Sequence, residues 1–297
     1  MNLDAFSQHL RNNDLSARTV STYVREVQLF AGWFEQTEGE PLAPAGLTPT
    51  ALSEYRGHLQ TVKQHMPATV NRKLLALRAW CGWAVASGQL ESDPSARTRL
   101  VRETQLQPKS LSPKDLHKLR REVEKAVNIA HTDPARRQAV RNLAIFRLLE
   151  YTGVRVGELC ALALADLELS ERAGHLTVRF GKGNKRRRIP LALAVRQALA
   201  DWLTLRPAVG AMLFVGGDGA ALQARGVQRM LEHHARRAGV AATPHTLRHT
   251  FAKSLLNVGE PIENVAVLMG HSKLESTWRY LQPSERDLEK AIDRLED

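Results

Sequence analysis

HLTVRFGKGNKRRRIPL, residues 175–191, decides how this chain is read. Leu176, Val178 and Phe180 alternate with His175, Thr177 and Arg179, the period of a half-buried strand. Gly181-Lys182-Gly183-Asn184 supplies turn chemistry, and Arg186 to Leu191 returns as the partner strand. On both sides of this hairpin the spacing is helical. Ala139 to Tyr151 is a mostly apolar helix stopping at Gly153, followed by a short helix from Val156 to Leu164. Beyond about Leu222 the pattern is helical, with breaks at Gly239–Pro244 and Gly259–Pro261. The expected fold is mainly α with a small antiparallel β-sheet.

Towards the N-terminus the chain reads as helices alone. Ser16 is placed to cap a helix whose apolar positions are Val20, Val24, Val27, Ala31 and Phe34, with Arg18, Thr22 and Arg25 on the opposite side. A second helix starts near Ala68, with Val70, Leu74, Leu77, Cys81 and Ala84 on one face and Asn71, Arg72, Lys73 and Arg78 off that stripe. Such polar positions are ordinarily a solvated face. Two helices with Arg, Lys, Asn and Thr outward in a basic stretch favour DNA contact instead. The polar, proline-containing segment VRETQLQPKSLS, residues 101–112, reads as a linker. Two domains are expected, 1–105 and 106–297.

Length and composition agree with this division, since 297 residues suffice for two cores, and 43% hydrophobic with 25% charged residues is globular rather than disordered. No apolar run is long enough to cross a bilayer, and Met1-Asn2-Leu3-Asp4 lacks a secretory n-region. Two cysteines, Cys81 and Cys160, imply no disulfide framework, which makes a reducing cytoplasm the default. The formal net charge is +11, and it is unevenly spread. Residues 1–107 hold 11 basic and 10 acidic side chains, and 108–297 hold 31 and 21. An excess of that size calls for a polyanion, nucleic acid or an anionic membrane surface, without choosing between them.

Five places carry polar residues that the fold does not require. Arg155, in TGVRVGEL, lies in an apolar setting and needs a partner, either Glu158 or a substrate phosphate. Lys182 sits at the hairpin tip, where a solvated lysine is common; the sequence is not a phosphate-binding P-loop, because GxxxxGK[ST] is absent. In HTLRH, His245 and Arg248 share a helix face just after Pro244, near unpaired N–H groups suited to a phosphate. His245 and His249, four apart, could also be metal ligands, but HExxH is missing and no Cys or Asp completes a set. His271 in LMGHS and Tyr280 in STWRYLQPS each read singly as structural residues.

Taken together they form a chemical set. Phosphodiester transfer without a metal requires a nucleophile, cationic donors for the equatorial oxygens and an acid for the leaving oxygen. Tyr280, Arg155 with Arg248, and Lys182 supply those types, and a histidine can help remove the tyrosine proton.

TGVRVGEL, GKGNKRRRIPL, HTLRHTFA, LMGHS and then Tyr280 occur in this order, and the ordered set resembles the tyrosine recombinase (phage integrase) family, nearest to Xer-type recombinases and related transposon or phage integrases. The likeness covers nearly the whole chain, with the N-terminal helices similar to that family's core-binding, SAM-like domain. It implies that Tyr280 attacks the scissile phosphate to give a 3′-phosphotyrosyl enzyme and a free 5′-hydroxyl. Arg155 and Arg248 then hold the phosphate, His271 adds a hydrogen bond, Lys182 protonates the 5′-oxygen and His245 accepts the tyrosine proton. The resemblance further implies no cofactor, neither ATP nor metal. Its implied partner is double-stranded DNA bearing a specific site, gripped by a C-shaped two-domain clamp. Four protomers, identical or paired with a second recombinase, are implied to link through a C-terminal tail helix whose stripe is Leu288, Ile292 and Leu295.

Two departures from the Xer pattern stand out. The stretch from Ser112 to Arg155 is longer, with a polar insert at His131-Thr132-Asp133-Pro134, and YLQPS after the nucleophile is closer to mobile-element integrases. They put in doubt a role in resolving chromosome dimers. A type IB topoisomerase, a non-catalytic DNA-binding regulator of the same fold and a His-metal hydrolase remain the competing readings.

Overall fold

The computed structural model describes residues 2–103, 110–179 and 186–270. The chain divides into two compact units, Met1–Gln105 and Leu106–Asp297. Among the described residues the structure is helical apart from one three-stranded antiparallel sheet, so the fold is mainly α with a small β-sheet.

In the first unit four helices, α1 (Leu3–Asn12), α2 (Ala17–Glu38), α3 (Pro49–Thr61) and α4 (Pro67–Ala86), close on one core. The Ser16 hydroxyl accepts from the Thr19 N–H at 3.2 Å, the cap anticipated for α2. Phe30, Trp80 and Leu74 lie fully inside. Because α4 packs against α1, α2 and α3, it is buried around most of its circumference, which a single apolar stripe does not convey.

That packing corrects the outward placing of Asn71 and Lys73. Both are 7% exposed. A buried polar group must be satisfied internally, and each is. The Asn71 side-chain carbonyl accepts from the Val101 N–H at 2.8 Å while its amide donates to the Val101 carbonyl at 2.9 Å, holding the segment after α4. Lys73 pairs with the buried carboxylate of Glu26 on α2, and Arg72, itself exposed, reaches the same carboxylate at 2.6 Å. Arg78 donates to the Thr98 carbonyl. Arg18 and Arg25 are exposed and Thr22 is half-buried, its hydroxyl donating to the Arg18 carbonyl at 2.8 Å.

The second unit is built round α6 (Asp133–Thr152), which packs against α5 (Pro113–Asn128), α8 (Leu193–Leu205), α9 (Ala224–Arg237) and α10 (Pro244–Asn257). Within His131-Thr132-Asp133-Pro134, Thr132 caps α6 and Pro134 occupies its first turn, so the helix starts earlier than the apolar pattern suggests. Past Gly153, α7 (Val156–Cys160) is shorter than expected and gives way to a 3-10 turn at Leu164–Asp166. The strands β1 (Leu167–Leu169), β2 (Gly174–Val178) and β3 (Arg187–Pro190) pair in chain order, with Leu167 and Ile189 flanking Leu176. Strand β1, α5 and α8 are not among the elements expected from sequence, although Ser112 and Pro113 open α5 and Leu116, Leu119, Val123 and Val127 recur along its inner face. The last described helix is α11 (Ile262–Met269). Lys182, His271, Tyr280 and the tail stripe Leu288, Ile292 and Leu295 lie outside the described residues.

Candidate functional site

Two glycines in left-handed conformation make the corner at which the arginines of the second unit meet. Gly153 (φ +58°) ends α6 and Gly270 (φ +63°) ends α11, and a side chain at Gly153 would run into the ring of Phe251. Helix ends leave carbonyls without intrahelical partners, and here guanidinium groups take them up.

Arg155 follows Gly153 by two residues and caps α7, whose third residue is Glu158. Glu158 Oε2 accepts from the Arg155 N–H at 2.8 Å and Oε1 accepts from Arg155 Nη1 at 2.8 Å. The other terminal nitrogen of Arg155 donates to the Gly270 carbonyl at 3.3 Å. The side chain keeps 33% of its surface exposed, so it is anchored yet open to a ligand.

Arg248 is buried at 4% exposure on α10. Its guanidinium donates to the Gly153 carbonyl from one side and to the Met269 carbonyl, at 2.7 Å, from the other. Two arginines from separate helices are thus fixed on the consecutive carbonyls of Met269 and Gly270, at the end of α11.

Helix α10 opens with Pro244 in its first turn and Thr243 capping the Thr246 N–H at 3.1 Å. His245 is therefore exposed at the helix start while Arg248 and His249 are buried below it. The rings of His245 and His249 meet edge to face, 4.0 Å between centroids. Desolvation, then the charges of Arg248 and Arg155, lower the pKa of His245, which favours a neutral ring near pH 7. Desolvation, His245 and Arg248 together push His249 down to about 4. Among the described residues no group of three or more His, Cys, Asp or Glu side chains is arranged to hold a metal ion.

Sequence reasoning missed Arg187. It is 9% exposed and binds both oxygens of Glu158, Nη1 to Oε1 at 3.1 Å and Nη2 to Oε2 at 2.7 Å, while its Nε donates to the Leu268 carbonyl at 3.0 Å. A signal was present: in a strand, Arg187 shares the face of the buried Ile189, whereas Arg188 points away and meets Glu168 at 2.6 Å. Burial alone would raise the pKa of Glu158, but the bonds from Arg187 and Arg155 outweigh it and hold the carboxyl below the usual range. Three guanidinium groups and one carboxylate leave the cluster with two net positive charges, a setting that suits an anion.

The arrangement has relatives. The phage integrase family matches residues 118–286, and the N-terminal SAM-like domain of phage integrases matches residues 3–85. The chain is 32% identical over 285 residues to the tyrosine recombinase XerC of Neisseria gonorrhoeae, covering 93% of this chain and 89% of that protein. It is likewise 32% identical over 300 residues to the tyrosine recombinase XerC of Corynebacterium glutamicum, covering 98% and 90%. Among solved structures, the XerH site-specific recombinase bound to a palindromic difH substrate after cleavage superposes with a TM-score of 0.77 at 22% identity, covering 99% of this chain and 84% of that one. Residues 75–356 of lambda integrase, a dimer bound to a COC′ core site, give a TM-score of 0.71 at 19% identity, covering 96% and 95%. At those identities the structural likeness speaks for the fold.

Proposed function

The chain belongs to the phage integrase family, is a site-specific tyrosine recombinase acting on DNA, and from that premise we propose how its residues divide the work. Tyr280 is the nucleophile, attacking the scissile phosphate to leave a 3′-phosphotyrosyl link and a free 5′-hydroxyl. Arg155 and Arg248 hold the phosphate oxygens and draw off the charge that builds on them in the transition state. His271 adds a hydrogen bond there, and Lys182 gives its proton to the departing 5′-oxygen. His245, kept neutral by its surroundings, accepts the proton of Tyr280. Attack by a 5′-hydroxyl from a partner strand reverses these steps, so the phosphodiester energy is conserved and neither ATP nor a metal takes part.

The observation that carries this reading is the convergence of Arg155 and Arg248 on adjacent carbonyls, immediately before His271 in the chain. An arginine fork held from behind is preorganised, so it does not reorient as charge develops. Phosphate binding also favours arginine over lysine, since the planar fork meets two oxygens together.

In the same proposal, the unit Met1–Gln105 is the core-binding module and the unit Leu106–Asp297 carries the chemistry. Of the side chains read as DNA-facing in the first unit, Arg18, Arg25 and Arg72 are exposed and Thr22 half-buried, and these meet the duplex, whereas Asn71, Lys73 and Arg78 are engaged inside the unit. The active assembly is four protomers on two DNA sites, linked by the tail that bears Leu288, Ile292 and Leu295.

A suicide duplex tests the scheme. It is nicked near the cleavage point, carries the site from the DNA flanking the coding sequence, and is incubated in EDTA. Wild type is expected to yield a covalent protein–DNA adduct on a denaturing gel and Tyr280→Phe none. An adduct that persists in Tyr280→Phe removes Tyr280 from the role; loss of the wild-type adduct in EDTA removes the metal-free mechanism.

A further inference from the structure

Arg187 stands on β3, outside the set of residues assigned to the phosphate, yet its guanidinium reaches the carboxylate and the helix end that hold Arg155 in place. Two of its nitrogens take both oxygens of Glu158, the carboxylate that also receives the backbone and side chain of Arg155. Its third nitrogen takes the Leu268 carbonyl, two residues before the Gly270 carbonyl on which Arg155 rests. The contact depends on the absence of a side chain at Gly270, where a Cβ would stand 2.6 Å from Arg187 Nη1.

We propose that Arg187 is a positioning residue for strand cleavage: it locks Glu158 against Arg155 and ties β3 to the end of α11, so that the Arg155 fork is set before the phosphate arrives.

Three features favour this over a plain structural ion pair. Glu158 has four donors on two oxygens, so Arg155 alone would leave half of its acceptor capacity unmet in a buried place. A buried carboxylate facing a single arginine would draw that arginine wholly to itself. With Arg187 sharing the negative charge, Arg155 keeps positive charge to offer a phosphate. Finally, Arg187 and Arg155 brace the same helix end from two sides, at Leu268 and Gly270. The strand after the hairpin and the helix before His271 are thereby held to one frame.

The inference rests on Arg155 being a phosphate ligand, and the experiment separates the two. Single-turnover adduct formation on the nicked suicide duplex is timed for wild type, Arg155→Lys, Arg187→Gln and the double variant, with duplex affinity and melting temperature measured alongside. Arg187→Gln is expected to slow adduct formation by roughly 30-fold with duplex affinity within about twofold of wild type, because the Arg155 donor loses its preorganisation while no DNA contact is removed. On top of Arg155→Lys it should cost less than about threefold, since residues acting as a unit are not additive. If Arg187→Gln melts below the assay temperature, Arg187→Lys takes its place: one ammonium keeps the charge but cannot span two carboxylate oxygens and a carbonyl, and the same non-additivity is expected. Wild-type cleavage by the Arg187 variant, or its full loss repeated in the Arg155→Lys background, overturns the proposal. If Arg155→Lys itself cleaves like wild type, the phosphate assignment fails instead.

Discussion

Arg248 donates to the carbonyl of Met269 at 2.7 Å, tying the middle of α10 to the last residue of α11. The opposite side of the same guanidinium holds the Gly153 carbonyl at the end of α6. One side chain therefore brackets two helix ends, and its orientation towards a phosphate is inherited from both. A lysine has a single donor centre and cannot bridge the two carbonyls. Arg248→Lys is expected to reduce the cleavage rate by about 100-fold or more, the scale found when one preorganised donor is removed. Adduct formation on the suicide duplex reads it out, and a lysine variant cleaving at over half the wild-type rate would contradict the clamp.

Lys73 is expected to matter for stability and not for DNA. Its ammonium is paired with Glu26, both side chains under 10% exposed, and removing one partner strands the other charge in the core. Glu26 retains Arg72 at 2.6 Å, so Lys73→Met should cost about 2–4 kcal/mol, toward the lower side of a broken buried pair. Replacing both, Glu26→Leu with Lys73→Met, should recover much of that loss, because an apolar pair carries no desolvation cost. Urea unfolding followed by tryptophan fluorescence measures both. An undiminished stability in Lys73→Met, with weaker DNA binding, would return Lys73 to the DNA surface.

Arg25 makes the opposite case. It is exposed on α2, in line with Arg18 and Thr22. If it neutralises a phosphate, Arg25→Ala should weaken duplex binding for every sequence alike. It should also lower the slope of log affinity against log salt by about one. Titration of a labelled duplex over a range of salt gives that slope. An unchanged slope would place Arg25 off the DNA.

The contrast between these residues shows what the sequence made legible. The Ser16 cap, the hairpin and the break at Gly153 were readable because each rests on local chemistry within a few residues. Asn71 and Lys73 were not, because their burial comes from three other helices packing round α4, a tertiary fact that a one-dimensional stripe does not contain. At the candidate site, Arg155 and Arg248 announced themselves by motif. Arg187 did not, since its partners Glu158 and Leu268 lie 29 and 81 residues away. The alternation that puts it beside Ile189 was visible, but an arginine in RRR after a hairpin reads first as solvated charge.

His249 should make the protein acid-sensitive within a defined window. Desolvation and its neighbours His245 and Arg248 set its pKa at about 4 in the folded chain, against about 6.5 for a free histidine. Between those values the unfolded chain binds the extra proton and the folded chain does not, so stability rises with pH. The full contribution is present above about pH 6.5 and is lost as pH falls towards 4. At pH 5 this one group should cost up to about 2 kcal/mol relative to neutral pH. Glu158 works in a separate range: its folded pKa is lowered, so its contribution fades only below the unfolded carboxyl value, under about pH 4.5. Melting curves between pH 7.5 and pH 5 therefore isolate histidine behaviour. His249→Gln, which cannot charge, should show a distinctly shallower decline than wild type over that interval. Parallel curves for the two proteins would mean that His249 protonates in the fold as readily as in the open chain.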